Sequence, residues 1–397
     1  MNGLIFLYLL LISPKLVFDR MVKGKKHPGL LQRLGFDLPS VNGPVIWIHA
    51  VSVGEVKAAA PLFTKLKEAY PGHFFLVTTT SATGQAEAKR SLSKADAYSY
   101  LPIDLSWVAR RFISHFRPEK FILIESDFWP NLLRELKRGG AQITLASGKM
   151  SERSARRFSF FSYFSKNLFS LFDLLCVQSE EHYDRFFPLV LDKSKLHISG
   201  NLKLDMTPQR VDLSHFSIEK PIITISCTHA HEEEMILSEL IGGDWYILLA
   251  PRHPERFIEV ATLLKKLNIS FTKWSDKSFT GEVLLVDTMG QLPTCYGSSR
   301  LVIMGGSYVK HIGGHNMFEP LLYGAPVIFG PFTYGQTELV NKASNAGSGI
   351  CVPIESLREF VGRFFESREQ EDEMKKGAEQ LMNKSRGAAD RIFSKLT

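Results

Sequence analysis

Short apolar runs recur along the chain, each ending in a polar or glycine-containing turn and each followed by a stretch of helical composition. Residues 45–51 (VIWIHAV) form the first clear run, which passes through Ser52-Val53-Gly54-Glu55 into 56–70 (VKAAAPLFTKLKEAY). Similar runs follow at 74–81, 120–130, 141–146, 174–181 and 196–203. Uninterrupted apolar runs of this length predict strands covered on both faces, and their alternation with helical segments predicts a parallel sheet. After a polar stretch bounded by Pro208 and Pro221 the alternation restarts at 222–226, 246–256, 283–287, 301–304 and 326–331. The pattern therefore predicts an α/β protein of two Rossmann-like domains with a cleft between them.

The boundaries that follow are 36–207 for the first domain, 208–220 for a linker and 221–380 for the second domain. Residues 381–397 form a helical tail expected to pack back on the first domain. Residues 1–35 stand apart. Residues 4–12 are unbroken apolar sequence, followed by Arg20, Lys23, Lys25, Lys26 and Arg33. That run is short for a spanning helix, which needs about 20 residues, and lacks the flanks of a signal peptide. An apolar plug with a basic collar predicts a monotopic anchor on an anionic inner-membrane leaflet, with the body on the cytoplasmic side. Its alternative is a first helix folded onto the core.

The run 301–304 opens into Gly305–Pro320 (GGSYVKHIGGHNMFEP). Paired glycines permit close backbone approach, and Asn316 before a helical segment reads as an N-cap whose free N–H groups attract phosphate. A plain glycine-rich turn, with Asn316 and Glu319 forming a capping-box variant, fits the same residues.

Composition narrows the partners. The formal net charge of +7 favours an anionic one, and the absence of nucleic-acid-binding signatures points away from DNA and RNA. The four cysteines are widely spaced without a C-x-x-C pair, as expected of reduced thiols. The chain has no Asp-x-Asp motif, which argues against a metal–diphosphate clamp, and no P-loop or H-E-x-x-H; no cofactor is expected. One carboxylate at a strand end, Glu55, together with Lys203, Arg252, His253 and Asn316, supplies the parts for displacing a nucleotide by a hydroxyl: a proton acceptor and donors for the leaving phosphate. The segment 155–172 holds aromatics and the cations Arg156, Arg157 and Lys166 without an acid. It suits either a core stripe or a surface for a phosphorylated lipid.

These residues fall into blocks that resemble a known family. They are Ser52-Val53-Gly54-Glu55, residues 125–131, Ser151-Glu152-Arg153-Ser154, Gly200-Asn201-Leu202-Lys203, Thr228-His229, Pro251-Arg252-His253-Pro254-Glu255-Arg256, Asp287-Thr288-Met289-Gly290, Gly305-Gly306-Ser307, Gly313-Gly314-His315-Asn316 and Glu319-Pro320. In that order and nearly end to end, they resemble the lipid A-directed 3-deoxy-manno-octulosonic acid (Kdo) transferases of glycosyltransferase family 30. The resemblance implies a GT-B fold, CMP-Kdo as donor, a lipid A precursor as acceptor, inversion at the anomeric carbon and no metal. It also implies Glu55 as general base, and substrate contacts from Ser52, Gly54, Glu125, Lys203, Arg252, His253, Met289, Gly313, Gly314, His315, Asn316 and Glu319. The chain departs from the family pattern at Ser147-Gly148-Lys149, usually Asn-Ala-Arg, and at Gly335-Gln336-Thr337, usually Asn-Phe-Arg. A UDP-sugar enzyme of the same fold and a non-catalytic membrane-surface protein are the competing expectations.

Overall fold

The computed structural model describes residues 29–207, 218–278 and 280–397. Residues up to Met206 join Ser385–Thr397 in one compact unit, and Thr207–Lys384 form a second.

Seven strands make the first sheet: β1 Val45–His49, β2 Phe74–Thr79, β3 Ala97–Tyr100, β4 Pro118–Ile124, β5 Gln142–Gly148, β6 Leu174–Val177 and β7 Leu196–Ile198. They lie in the order β3-β2-β1-β4-β5-β6-β7, every neighbouring pair parallel. Strand β1 is buried along its whole length, with Trp47 opposite Leu76 on one side and Phe121 on the other. A parallel central strand is covered by helices on both faces, and this is why its sequence is apolar from Val45 to Ile48 before it ends in the buried His49. On one face Trp47 packs among Phe112, Phe116 and Phe121. On the other, Ile46 and Ile48 join Leu62 and Leu66 of the helix Val53–Ala69, together with Ile392 and Leu396 of the final helix, Ala388–Leu396. The end of the chain thus completes the core of the first unit. Asp205 fastens it, accepting from the N–H groups of Gly387 and Ala389 at 2.6 Å each.

The second sheet comprises β8 Ile222–Thr228, β9 Tyr246–Pro251, β10 Phe271–Lys273, β11 Val283–Leu285, β12 Leu301–Met304, β13 Val327–Phe329 and β14 Gly349–Cys351. Its order is β10-β11-β9-β8-β12-β13-β14, again wholly parallel. Two Rossmann-like α/β units of this kind make up a GT-B fold. Strands β3, β10 and β14 are additions to the pattern read from the sequence. All three are sheet edges of three or four residues; β10 and β14 are partly exposed and β3 is largely buried but carries Ser99, so none has the apolar run that marks an inner strand.

The expected anchor and its cations Arg20, Lys23, Lys25 and Lys26 lie outside the described residues, as does 208–217 of the expected linker. Arg33 is described, and it is no free member of a basic collar. Its guanidinium donates to the Thr80 carbonyl and stacks 4.9 Å from the centre of the Tyr100 ring. Among the described residues no helix is long and apolar enough to cross a membrane.

Candidate active site

The turn between β1 and the helix Val53–Ala69 places Glu55 at the carboxyl edge of the first sheet, where open α/β folds collect ligands. Ser52 is the N-cap: its Oγ accepts from the Glu55 N–H at 3.3 Å and its hydroxyl donates to Glu55 Oε1 at 3.2 Å. Glu55 Oε2 accepts from the Val51 N–H at 2.7 Å. The side chain is thus held by the geometry that starts the helix, and it is buried. Burial pushes its pKa up, and the nearby charge of Glu125 pushes the same way against the Val51 N–H, Lys149 and Ser52. A carboxylate with a raised pKa, carrying lone pairs beyond those in use, is suited to take a proton near neutral pH.

Glu125 follows β4 and is 1% exposed. Its backbone turns left-handed (φ 63°), and Ser147 at the end of the neighbouring β5 does the same (φ 57°). Two non-glycine residues in this region on adjacent strand ends carry strain of the sort found at functional sites. The turns aim Glu125 at two ammoniums, Lys203 Nζ at 2.7 Å and Lys149 Nζ in closer contact. Neither Glu125 oxygen has a well-aligned hydrogen bond, so the contacts are ionic in character. Burial raises the Glu125 pKa, but Lys203 and Lys149 together outweigh it and hold the group below the usual carboxylate range. Lys203 also runs past Gly54: a β-carbon there would stand 3.9 Å from its Cε. Ser52, Gly54, Glu55, Glu125 and Lys203 therefore form one cluster, which Lys149 joins.

This cluster has a measurable electrical consequence. Glu125→Gln removes a like charge from beside Glu55 and frees Lys149, both of which lower the Glu55 pKa. The acid limb of the pH–rate profile should therefore move to lower pH in the variant; an unmoved limb means that Glu55 does not set it.

Beside Lys149 an open cavity of about 510 Å³ is lined by Asp127, Phe128, Met150, Phe158 and His182 among others. The segment 155–172 borders it and divides into a buried and an exposed part. Its latter part is core, with Phe169 and Phe172 fully buried, while Phe160 (82%), Phe161 (62%) and Tyr163 (84%) are exposed beside exposed Arg156 and Arg157.

In the second unit the strand ends again converge. His229 follows β8, Arg252 and His253 follow β9, and His315 lies on the loop after β12. His229 Nε2 and His315 Nε2 are 2.8 Å apart, and the His253 ring centre is 5.6 Å from that of His229. A fully buried carboxylate ties these segments together: Glu232 accepts from the N–H groups of His229 (2.9 Å), Gly306 (2.7 Å) and Tyr308 (2.9 Å). Its neighbour Glu233 pairs with Arg256 at 2.5 Å.

The stretch 305–320 differs in detail from the expected helix-start site. The helix spans Phe318–Leu322, and Asn316 is not its N-cap; Asn316 Oδ1 accepts from the Phe318 N–H at 3.0 Å, two residues on. That Asx turn uses the side chain expected to cap the helix. Gly313 and Gly314 both have positive φ (87° and 85°), as glycine allows. The close approach at Gly313 is to the chain itself, since a β-carbon there would lie 2.7 Å from Tyr334 Cε2 and the Gly335 N–H donates to the Gly313 carbonyl. Glu319 is exposed in the first turn of the short helix, and Met289 is exposed in the turn after β11. Among the described residues no three His, Cys, Asp or Glu side chains converge as metal ligands.

A family described as 3-deoxy-D-manno-octulosonic-acid transferase (kdotransferase) matches residues 28–206. The 3-deoxy-D-manno-octulosonic acid transferase of Chlamydia trachomatis is 33% identical over 88% of this chain and 85% of its own. That of Haemophilus influenzae is also 33% identical, over 92% of this chain and 90% of its own. The chain belongs to this transferase family.

As a Kdo-transferase family member it is a glycosyltransferase, and its fold is shared more widely. A UDP-GlcNAc 2-epimerase from Neisseria meningitidis superposes with a TM-score of 0.61 over 89% of this chain and 99% of its own, at 15% identity. That likeness concerns the fold alone. The two departures from the family pattern now have positions in this transferase. Lys149 is the partner of Glu125 beside Glu55, and Gly335 packs on the Gly313 turn, where a β-carbon would meet the Gly313 carbonyl at 2.9 Å.

Proposed function

We propose that this chain is an inverting transferase that moves Kdo from CMP-Kdo to a lipid A precursor, lipid IVA, in the building of the lipopolysaccharide core. In this reading residues 36–207 take the acceptor and 221–380 the donor, and residues 1–35 anchor the enzyme to the cytoplasmic face of the inner membrane. Glu55 takes the proton of the acceptor hydroxyl as that oxygen forms its bond to the anomeric carbon. The bond from that carbon to the CMP phosphate breaks, and CMP leaves with the electron pair. The observation that carries the reading is the buried Glu55 with its raised pKa, set beside Lys149 and Lys203 in a chain that aligns with Kdo transferases along most of its length.

Other residues take supporting roles. Ser52 and Gly54 hold and make room around the base. Glu125 fixes the two ammoniums, which face the negative groups of the substrates. The exposed Phe160, Phe161 and Tyr163 with their neighbouring arginines suit an anionic lipid surface next to the cavity. In the second unit Arg252, His253, Met289, Gly313, Gly314, His315, Asn316 and Glu319 surround the nucleotide.

Because a UDP-sugar epimerase shares the fold, the nucleotide base is the point to test. Thermal unfolding in the presence of CMP should occur at higher temperature than with equal UDP. A ligand at 100 times its Kd stabilises the state that binds it by about 2.7 kcal/mol. Greater stabilisation by UDP contradicts the donor assignment.

A further inference from the structure

The two histidines that meet in the second unit are bonded to each other. With 2.8 Å between the Nε2 atoms and ring planes within 11° of parallel, one ring donates the single shared proton and the other accepts it. Cationic groups surround the pair: Arg252 and His253 from the β9 end, and Arg256 behind them. The acids nearby are already engaged, Glu233 by Arg256 and Glu232 by three backbone N–H groups. Glu319 acts on Cys227 from the short helix. Among the described residues no carboxylate forms an ion pair with Arg252, His229, His253 or His315. Arg252 and these histidines thus form a cluster of potential cations with no directly paired carboxylate among the described residues, and the pKa values of His229 and His315 are lowered there. Burial first, then His229, Arg252 and His253, lower the His315 pKa to about 4. Burial and then His253 and Arg256 lower that of His229, against Glu233.

An arriving phosphate supplies the missing negative charge and reverses the sign of the local field. We infer that the His229–His315 pair takes up a proton when the phosphate-bearing ligand of this unit binds, so that the site gains positive charge only while the anion is present. This rests on the proposal that the second unit holds CMP. It assigns His229, absent from the expected substrate contacts, a direct part in donor binding. Since the pKa of the pair is higher in the complex than in the free protein, binding strengthens as pH falls through the bound-state pKa toward the lower free-state one.

Calorimetric titration of the full-length protein with CMP at pH 6.5, in buffers of low and high ionisation enthalpy, tests this. The wild type should take up roughly half a proton per CMP, the extent expected if the anion brings the pair to titrate near the working pH. His315→Gln and His229→Gln should each abolish most of this uptake and flatten the pH dependence of the affinity between pH 8 and 6. Free CMP, whose second pKa lies near 6, contributes its own proton exchange in all three proteins, so the uptake by the pair is read as the difference between the wild type and each variant. Net proton exchange the same in both variants as in the wild type overturns the inference while leaving the donor assignment in place. Absence of CMP binding to the wild type overturns the donor assignment and the inference with it.

Discussion

Glu55→Gln is expected to lower Kdo transfer by about 10²- to 10⁴-fold, the range that a positioned general base contributes, while CMP binds with little change. The glutamine is chosen because Glu55 has two functions that alanine would remove together. Its carboxylate accepts from the Val51 N–H at 2.7 Å and takes a hydrogen bond from Ser52, so it helps to start the helix Val53–Ala69. In glutamine the amide oxygen can still accept from the Val51 N–H and the amide nitrogen can donate to Ser52 Oγ, but neither can take a proton from an acceptor hydroxyl. If Glu55 only capped the helix, the glutamine variant would keep most of its turnover. Glu55→Ala should add the loss of the cap, about 1 kcal/mol of stability, to the same loss of activity. Turnover with CMP-Kdo and a lipid A precursor, measured beside CMP binding by calorimetry, separates the two roles.

Glu232→Ala should have the largest effect on stability. The carboxylate is fully buried and its acceptors serve the N–H groups of His229, Gly306 and Tyr308. Burial pushes its pKa up, while those N–H groups pull it down and Glu233 pushes it up again. Alanine strands two buried donors and one partly buried one at about 1–3 kcal/mol each, so a loss of at least about 3 kcal/mol is expected. Because the same hydrogen bonds hold the end of β8 to the loop after β12, CMP affinity should fall with it. Glu232→Gln, which keeps acceptor capacity but not charge, should lie between. Thermal unfolding of the variants with and without CMP provides the measurement; an alanine variant as stable as the wild type contradicts the role given to Glu232.

How much of this was legible in the sequence depended on the kind of signal. Inner strands such as β1 and β12 are apolar, but for the buried His49 that ends β1, because both faces are covered, so the runs at 45–51 and 301–304 announced them. Edge strands carry no such run: β10 is three half-exposed residues, FTK. Glu55 stood out because it follows a strand and opens a helix within four residues of local sequence. The meeting of Glu125 with Lys149 and Lys203 had no local sign, since it depends on the order of strands in the sheet, which spacing along the chain does not reveal. His229 and His315 meet across 86 residues for the same reason. Glu232 was hidden differently. In a run of three glutamates at a helix start it reads as a favourable dipole partner, and only the fold shows that it is buried and holds two loops. Asn316 was misread as an N-cap because an Asx turn and an N-cap favour the same residue, and Met317 sets the helix one turn position later.

The central claim is transfer of Kdo from CMP-Kdo to a lipid A precursor, and mass spectrometry of the lipid after incubation with the full-length protein reads it directly. The account predicts a product heavier than the precursor by one or more whole Kdo residues, formed with release of CMP and lost in Glu55→Gln. A precursor unchanged in mass in the presence of active, folded protein and CMP-Kdo would contradict it.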